Sequence, residues 1–290
     1  LSNINDADTI AITPITKNVG CLDGHSIQEI GGDLLFLSPD GFRLVAGTER
    51  IGDVELGSVS RQIQSVVSTI AKSIDGFFVS SAVLRSKSQY RFFYSAATGT
   101  TGTSKGLIGT ITPNGFEWSE TIGIQAHGFA SGLDFSNIEQ IYHGDSAGYV
   151  YNHNTGNDFN PAGVQTNINA RYKTPNLDFG DAGTLKSLHY TKISFTPEGA
   201  VQPNLKVSYD FDSLDRPQPP LYTLDEIPTP AVFGAGTLGS SVFGAAGDPM
   251  VRTAVQGSGH NIAFKIFSQD TKAPYSINGF YVDYRPSGRR

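Results

Sequence analysis

The chain has 290 residues, enough for two domains with a core each, and its 38% hydrophobic and 17% charged content, at a mean hydropathy of −0.19, is that expected of a soluble globular protein. No apolar run approaches the roughly 18 residues of a membrane span, and the polar opening LSNINDADTI lacks the form of a signal peptide. The net charge of −6 divides into −7 over residues 1–163 (nine Lys/Arg, sixteen Asp/Glu) and +1 over residues 164–290 (twelve against eleven), which argues against a first half that grips nucleic acid, since neutralising phosphates takes clustered Lys and Arg.

Gly (33), Tyr (12) and Phe (18) together outnumber the charged residues, a mixture that favours strands and tight turns. The single cysteine, Cys21, excludes an intrachain disulfide and a CxxC-type zinc site. The apolar strands after it suggest a buried structural thiol. The chain starts on Leu1 rather than Met, as expected of a processed chain or a fragment.

In chain order, SIQEIGGDLLFLSPDGFRLVAG predicts three short strands joined at Gly31-Gly32 and at Pro39-Asp40-Gly41, residues that supply the backbone angles of tight hairpins. Ile63, Val66, Val67, Ile70 and Ala71 then fall at helical spacing, so one helix is expected near 60–72, capped by Ser58 or Ser60 and ended at Asp75-Gly76. Four strands follow, Phe77–Leu84, Gln89–Tyr94, Lys105–Thr112 and Gly115–Thr121, the number in one propeller blade. In the second of them Tyr90, Phe92 and Tyr94 alternate with Arg91 and Phe93. Gln125–Phe135, Ile138–His143 and Tyr149–His153 repeat the theme around the turn GDSAG. Residues 1–163 are therefore expected to form a partial β-propeller of two to three blades, an incomplete ring that needs further residues or another chain to cover its edges.

The stretch Ile168–Gly183 reads as a joint, because Pro175 forces an extended residue before it and Gly180 and Gly183 flank a turn. Beyond it strict alternation takes over: Thr191, Ile193 and Phe195; Leu205, Val207, Tyr209 and Phe211; Ile262, Phe264 and Ile266; Phe280, Val282 and Tyr284. One buried and one wet face predicts an antiparallel β-sandwich over 164–290. A long Pro/Gly-rich insertion at 213–249 interrupts it, uncharged from Ala231 to Gly247, and Phe233, Leu238 and Phe243 are its expected interface anchors.

No motif announces an enzyme, and no catalytic, cofactor or metal residue is assigned. The six histidines at 25, 127, 143, 153, 189 and 260 lack the spacing of a metal pair, although His143 and His153 flank one hairpin and can face each other across it. GHSIQ around Ser26 and GFASG around Ser131 are not G-x-S-x-G elbows. Asp210 and Asp212, with Asp215 close behind, are spaced for one strand face and for glycosidase chemistry, but solvated charges explain them more simply. Basic and aromatic residues interleave only at Arg171-Tyr172-Lys173 and in the terminal RPSGRR, too little for a nucleic-acid module.

In order and texture, GCLDGHSIQEIGGDLLFLSPDGFRLV, VSRQIQSVV, ARYKTPNLDFGDAGTLKSLHYTKISF and GSGHNIAFKIFSQDTKAPYSINGFYVDYRPSGRR resemble segments of tail nozzle or hub proteins of short-tailed bacteriophages. The resemblance implies a virion structural protein of the phage tail. It further implies a homo-oligomer, commonly a hexameric ring, that contacts other tail proteins and passes DNA at ejection without sequence-specific binding, with no membrane partner. The alternative from the residues themselves is a carbohydrate-binding or carbohydrate-degrading propeller with an accessory sandwich.

Overall fold

The computed structural model describes residues 8, 19–46, 58–96, 105–156, 164, 166–227 and 250–289. They form an all-β protein, with one helix of more than two turns among the described residues, divided into two compact units at Thr155/Gly156. The expected anchors Phe233, Leu238 and Phe243 lie outside the described residues.

Among its described residues the first unit holds three antiparallel meanders. The first joins β1 (Gln28–Ile30), β2 (Asp33–Ser38) and β3 (Gly41–Leu44) in sequence order. Gly31 and Gly32, at φ 64° and 80°, make the β1–β2 turn, the two left-handed central residues that a tight hairpin requires. The second is β4 (Phe77–Leu84), β5 (Gln89–Ala96), β6 (Lys105–Thr112) and β7 (Gly115–Ile122), close to the strand limits expected from the alternation. The third is β8 (Gly128–Leu133), β9 (Glu139–Gly144) and β10 (Val150–Asn152).

The alternation in β5 explains how the meanders stack. Tyr90 and Phe92 turn to one face and join Leu35, Leu37 and Phe42 of the first sheet, together with Val67 and Ile70 of the helix Gln64–Lys72, in one core. Phe42 meets Tyr90 and Phe92 edge-on at 5.5 and 5.3 Å. Phe93 turns to the other face and packs on Phe129 of β8, ring centroids 4.7 Å apart. A Cβ at Gly106 would come within 2.7 Å of the Phe93 ring, so glycine is what lets that ring lie over β6. Helix capping differs from expectation: the helix is entered through a 3-10 turn at Arg61–Ile63, and the Ser60 hydroxyl accepts from the Phe42 amide instead of capping it. Cys21 differs too. It is exposed, because the polar turn Asp23–Ser26 stands between it and β1, and its thiol donates to the Asp23 carbonyl at 3.0 Å.

The second unit has two antiparallel sheets that share one core. One runs β11 (Ile168–Lys173), β17 (Ile262–Asp270), β13 (Asn204–Tyr209), β14 (Tyr222–Thr223). The other pairs the long β12 (Thr184–Pro197) with β15 (Met250–Ala254) and β16 (Ser258–Gly259) along one side and with β18 (Tyr275–Arg289) along the other. Ile193 and Phe195 from one sheet meet Leu205, Val207, Phe264 and Ile266 from the other, the two-layer arrangement of a sandwich. Each such side chain contributes about 1.5–3 kcal/mol when fully buried.

The stretch read as a joint lies inside this unit: its first six residues are β11, and Thr174 and Leu177 continue the pairing onto Phe264 and Ile262. The described part of the expected insertion also packs on the unit itself. Tyr222–Thr223 adds to β13, Ile227 bridges Val201, and Leu224 and Ile227 are buried. Phe211 is not the next inward residue of β13; the strand ends at Tyr209 and the chain turns.

Lys186 ties the start of β12 to the loop before β17. Its ammonium is buried, and its three hydrogens go to the carbonyls of Asp181, Thr184 and His260. No carboxylate pairs with it among the described residues. Lys186→Met keeps the stem and strands three carbonyls, so it is expected to lower stability by about 2–4 kcal/mol in urea unfolding; an unchanged midpoint would show that the clamp is not needed.

Candidate functional site

Four places in the two units combine chemistry with position: a histidine pair, a turn built on Asp210, a shallow aromatic cleft, and the outer face of the third meander.

The histidines flanking the β9–β10 hairpin meet. His143 Nδ1 and His153 Nε2 are 2.6 Å apart, with Tyr151 stacked on His143 and Phe129 edge-on to His153. Asp145 shapes the hairpin that brings them together, accepting from the amides of Ala147 and Tyr149 and from the Tyr151 hydroxyl. Arg91 of β5 faces His153 Nδ1 at 3.4 Å. Arg can only donate, so His153 Nδ1 accepts, the His153 proton sits on Nε2 and is donated to His143 Nδ1. His143 then carries its own proton on Nε2, which is buried with no hydrogen-bond partner among the described residues. Both imidazoles are held neutral. Burial lowers His143 below its ordinary value, and burial together with His143 and Arg91 pulls His153 down to about 3. Among the described residues no group of three or more His, Cys, Asp or Glu is placed to hold a metal ion.

The carboxylates Asp210 and Asp212 do not share a strand face. Asp210, Phe211 and Asp212 all have positive φ, 48°, 63° and 59°, a left-handed turn without a glycine. Asp210 Oδ1 accepts from the amides of His260 and Asn261 at 2.7 and 2.9 Å, and Oδ2 pairs with Arg216 Nε. Those amides and Arg216 outweigh its burial and hold its pKa below the usual carboxylate value. Asp212 instead pairs with Lys173 Nζ at 3.2 Å. With each carboxyl committed to its own partners, the arrangement serves to hold a turn. At the turn Phe211 is 70% exposed, and three residues on Leu214 is 100% exposed.

The other serine candidate is likewise structural: Ser26 is buried, donates to the Asp23 carbonyl and accepts from the Leu37 amide. Ser131 lines a depression on the third meander with Ala130, Gly132, Leu133, Gln140 and Tyr142, about 210 Å³ in volume. Around it Phe135, Ile138 and Val150 are exposed, and on the same side as Val150 the Asn152 amide donates to Gln140 Oε1 at 3.1 Å.

A cleft of about 350 Å³ on the outer face of the second unit was not legible as a site. Tyr190, Lys192, Tyr281 and Asp283 line it, and the Arg252 guanidinium lies 4.1 Å from the Tyr190 ring centroid. Its lining comes from two strands, β12 and β18, with Arg252 of β15 beside them, and pairing sets them side by side: Tyr190 opposite Asp283, and Lys192 between Arg252 and Tyr281. The only signal in the sequence was their outward position in the alternation. A hydrogen bond to Asp283 raises the Tyr190 hydroxyl above its ordinary value.

The histidine pair makes the first unit acid-sensitive. A folded-state pKa below the unfolded value near 6.5 means that the unfolded chain binds protons first. Stability is then whole above pH ~6.5 and is lost as pH falls below it, for His153 down toward 3, by up to about 1.4 kcal/mol per pH unit there. Urea midpoints measured from pH 7 to 5 are expected to fall, and His153→Phe to flatten that fall; equal slopes in the two proteins would refute the assignment.

No protein-family model matches the chain, and a comparison with curated proteins found no match.

Proposed function

We propose that the chain is a non-enzymatic structural subunit of a ring-shaped assembly, of the kind that forms the tail nozzle or hub of a short-tailed phage and lets DNA pass. The observation that carries this reading is the third meander. Its inner face is filled by Phe129, Ile141 and His143, while Leu133, Phe135, Ile138, Tyr142 and Val150 stand exposed around it. Exposed apolar clusters of this kind mark interaction surfaces.

Three further features support it. Among its described residues the first unit stacks three- and four-stranded antiparallel meanders, the kind of element that a propeller would be built from. Edge strands β11 and β18 each pair on one side only among the described residues, a hazard for a monomer and a resource for an assembly. The charge of the first half, −7, suits a surface that DNA passes without sticking.

A second reading rests on the cleft at Tyr190. Two tyrosines, a carboxylate and two cations in a shallow depression are the groups that bind sugars, which favours a carbohydrate-binding protein. Light scattering coupled to size exclusion separates the two. The ring reading expects a defined multiple of the 31.0 kDa chain mass. A monomer that binds oligosaccharides and loses them in Tyr281→Ala would replace it with the second.

A further inference from the structure

We propose that the outer face of the sheet β11–β17–β13 binds the phosphate backbone of a nucleic-acid duplex without reading its sequence. The inference goes beyond the ring-subunit reading and does not depend on it.

The observation is a row of lysines. Lys173 of β11 is paired with Lys265 of β17, and Lys265 in turn with Lys206 of β13, so directly opposed residues on three adjacent strands are all lysine. Paired residues share a face. The neighbours of Lys265 in its strand, Phe264 and Ile266, are buried in the core, so the lysines stand on the outer face. Strands lie about 4.8 Å apart, which makes the row about 10 Å from end to end. Arg171 stands on the same face two residues from Lys173, about 7 Å away along β11. In the sequence Arg171 and Lys173 are an isolated basic fragment; pairing with two strands far along the chain completes the patch.

Opposed like charges are unfavourable in a sheet, and the chain itself answers this row with one carboxylate. Asp212 pairs with Lys173 at 3.2 Å, and the charge of Lys206 also acts on it. Asp210 is taken up by Arg216, and among the described residues no carboxylate lies within 4 Å of Lys206, Lys265 or Arg171. Four cations against one carboxylate leave the patch at +3, although the half of the chain that carries it is only +1. A polyanion supplies the missing charge.

The surroundings of the row favour a duplex. Phe267, opposite both Arg171 and Asn204, has the Lys265 ammonium 5.3 Å from its ring centroid, so it offers no open platform to a sugar ring or an unpaired base. The side-chain carbonyl of Asn169 accepts from Arg171 and that of Asn204 from Thr223, which takes both from sugar hydroxyls. What remains is a flat array of flexible point charges, suited to phosphates and unable to read bases. Duplex DNA carries one charge per ~1.7 Å of its axis, dense enough for the row to meet about three phosphates at once.

The test is fluorescence anisotropy of the full chain with a short labelled DNA duplex, with circular dichroism to verify folding. With about three phosphates neutralised, affinity is expected to fall about 40-fold between roughly 50 and 200 mM salt, and equally for two duplexes of unrelated sequence. Lys206→Gln combined with Lys265→Gln removes two of the cations and relieves the opposed charges. That variant is expected to bind more weakly by on the order of tenfold or more and with a shallower salt dependence. The same double change at Lys87 and Lys105, exposed lysines of the first unit, controls for net charge and is expected to leave binding unchanged. No binding at low salt, undiminished binding by the folded Lys206/Lys265 variant, or an equal loss in the two double variants overturns the proposal. Binding of heparin with none of the duplex also overturns it and assigns the face to an acidic polysaccharide. None of these outcomes touches the ring-subunit reading, which stands or falls on the mass of the assembly.

Discussion

A β-strand turns successive side chains to opposite faces, and the first unit follows from that constraint acting on β5. Tyr90, Phe92 and Phe93 are all fully buried, so both faces of the strand need a cover. The first meander and the helix supply one, through Phe42, Leu35 and Val67; the third meander supplies the other, through Phe129 and His153. Arg91 shares the second face with Phe93, and its guanidinium is occupied by Gln89, Asn154 and His153. Covering one sheet this way passes the problem outward. The third meander buries its inner residues against β5, and its outward positions mix Tyr142 and Val150 with the hydrogen-bonded pair Gln140 and Asn152.

The same logic accounts for the histidine pair. A hairpin that closes over Phe93 must put something opposite Arg91, and a neutral imidazole accepts from a guanidinium where a lysine or arginine would repel it. Tyr151, stacked on His143, is itself held by Asp145, which also makes the turn. One carboxylate therefore sets the turn and the second layer of the pair. The pair's neutrality is a consequence of that packing: a proton added to His153 would be buried beside Arg91, and the two rings already stand 2.6 Å apart.

Much of the fold was legible in the sequence because the elements here are local. Phe77–Leu84 and Lys105–Thr112 were recovered to the residue, since alternation and turn residues bound them. The helix was placed from Val67 and Ile70, the two residues it buries. What escaped depended on partners far away in the chain. Phe211 continues the alternation of Leu205, Val207 and Tyr209 by sequence, and only the amides of His260 and Asn261, about fifty residues on, bend the chain before it. Tyr222–Thr223 sits among prolines and looks like a loop until Asn204 and Leu205 pair with it. Cys21 is exposed although apolar strands follow it, because the three-residue turn Gly24–Ser26 stands between them. For the sites, the His143–His153 contact is readable from the hairpin, whereas the Tyr190 cleft draws on β12 and β18, distant in sequence, whose register no single stretch reveals.

The turn at Asp210 is where local preference and structure disagree most, and the disagreement can be weighed. Each non-glycine residue in the left-handed region costs roughly 1–2 kcal/mol, so three in succession cost a few kcal/mol. Against this stand two amide bonds to a carboxylate and its pairing with Arg216, charge-assisted contacts of about 1.5–3 kcal/mol each. The balance is close enough for the turn to persist, and it is held mainly through Asp210. Phe211 contributes nothing to that balance, since its ring is mostly in water. A sequence selected for the stability of this unit alone would carry Asn or Gly there. Phe211 thus stands exposed in a conformation that disfavours it, held there by contacts that its neighbours make.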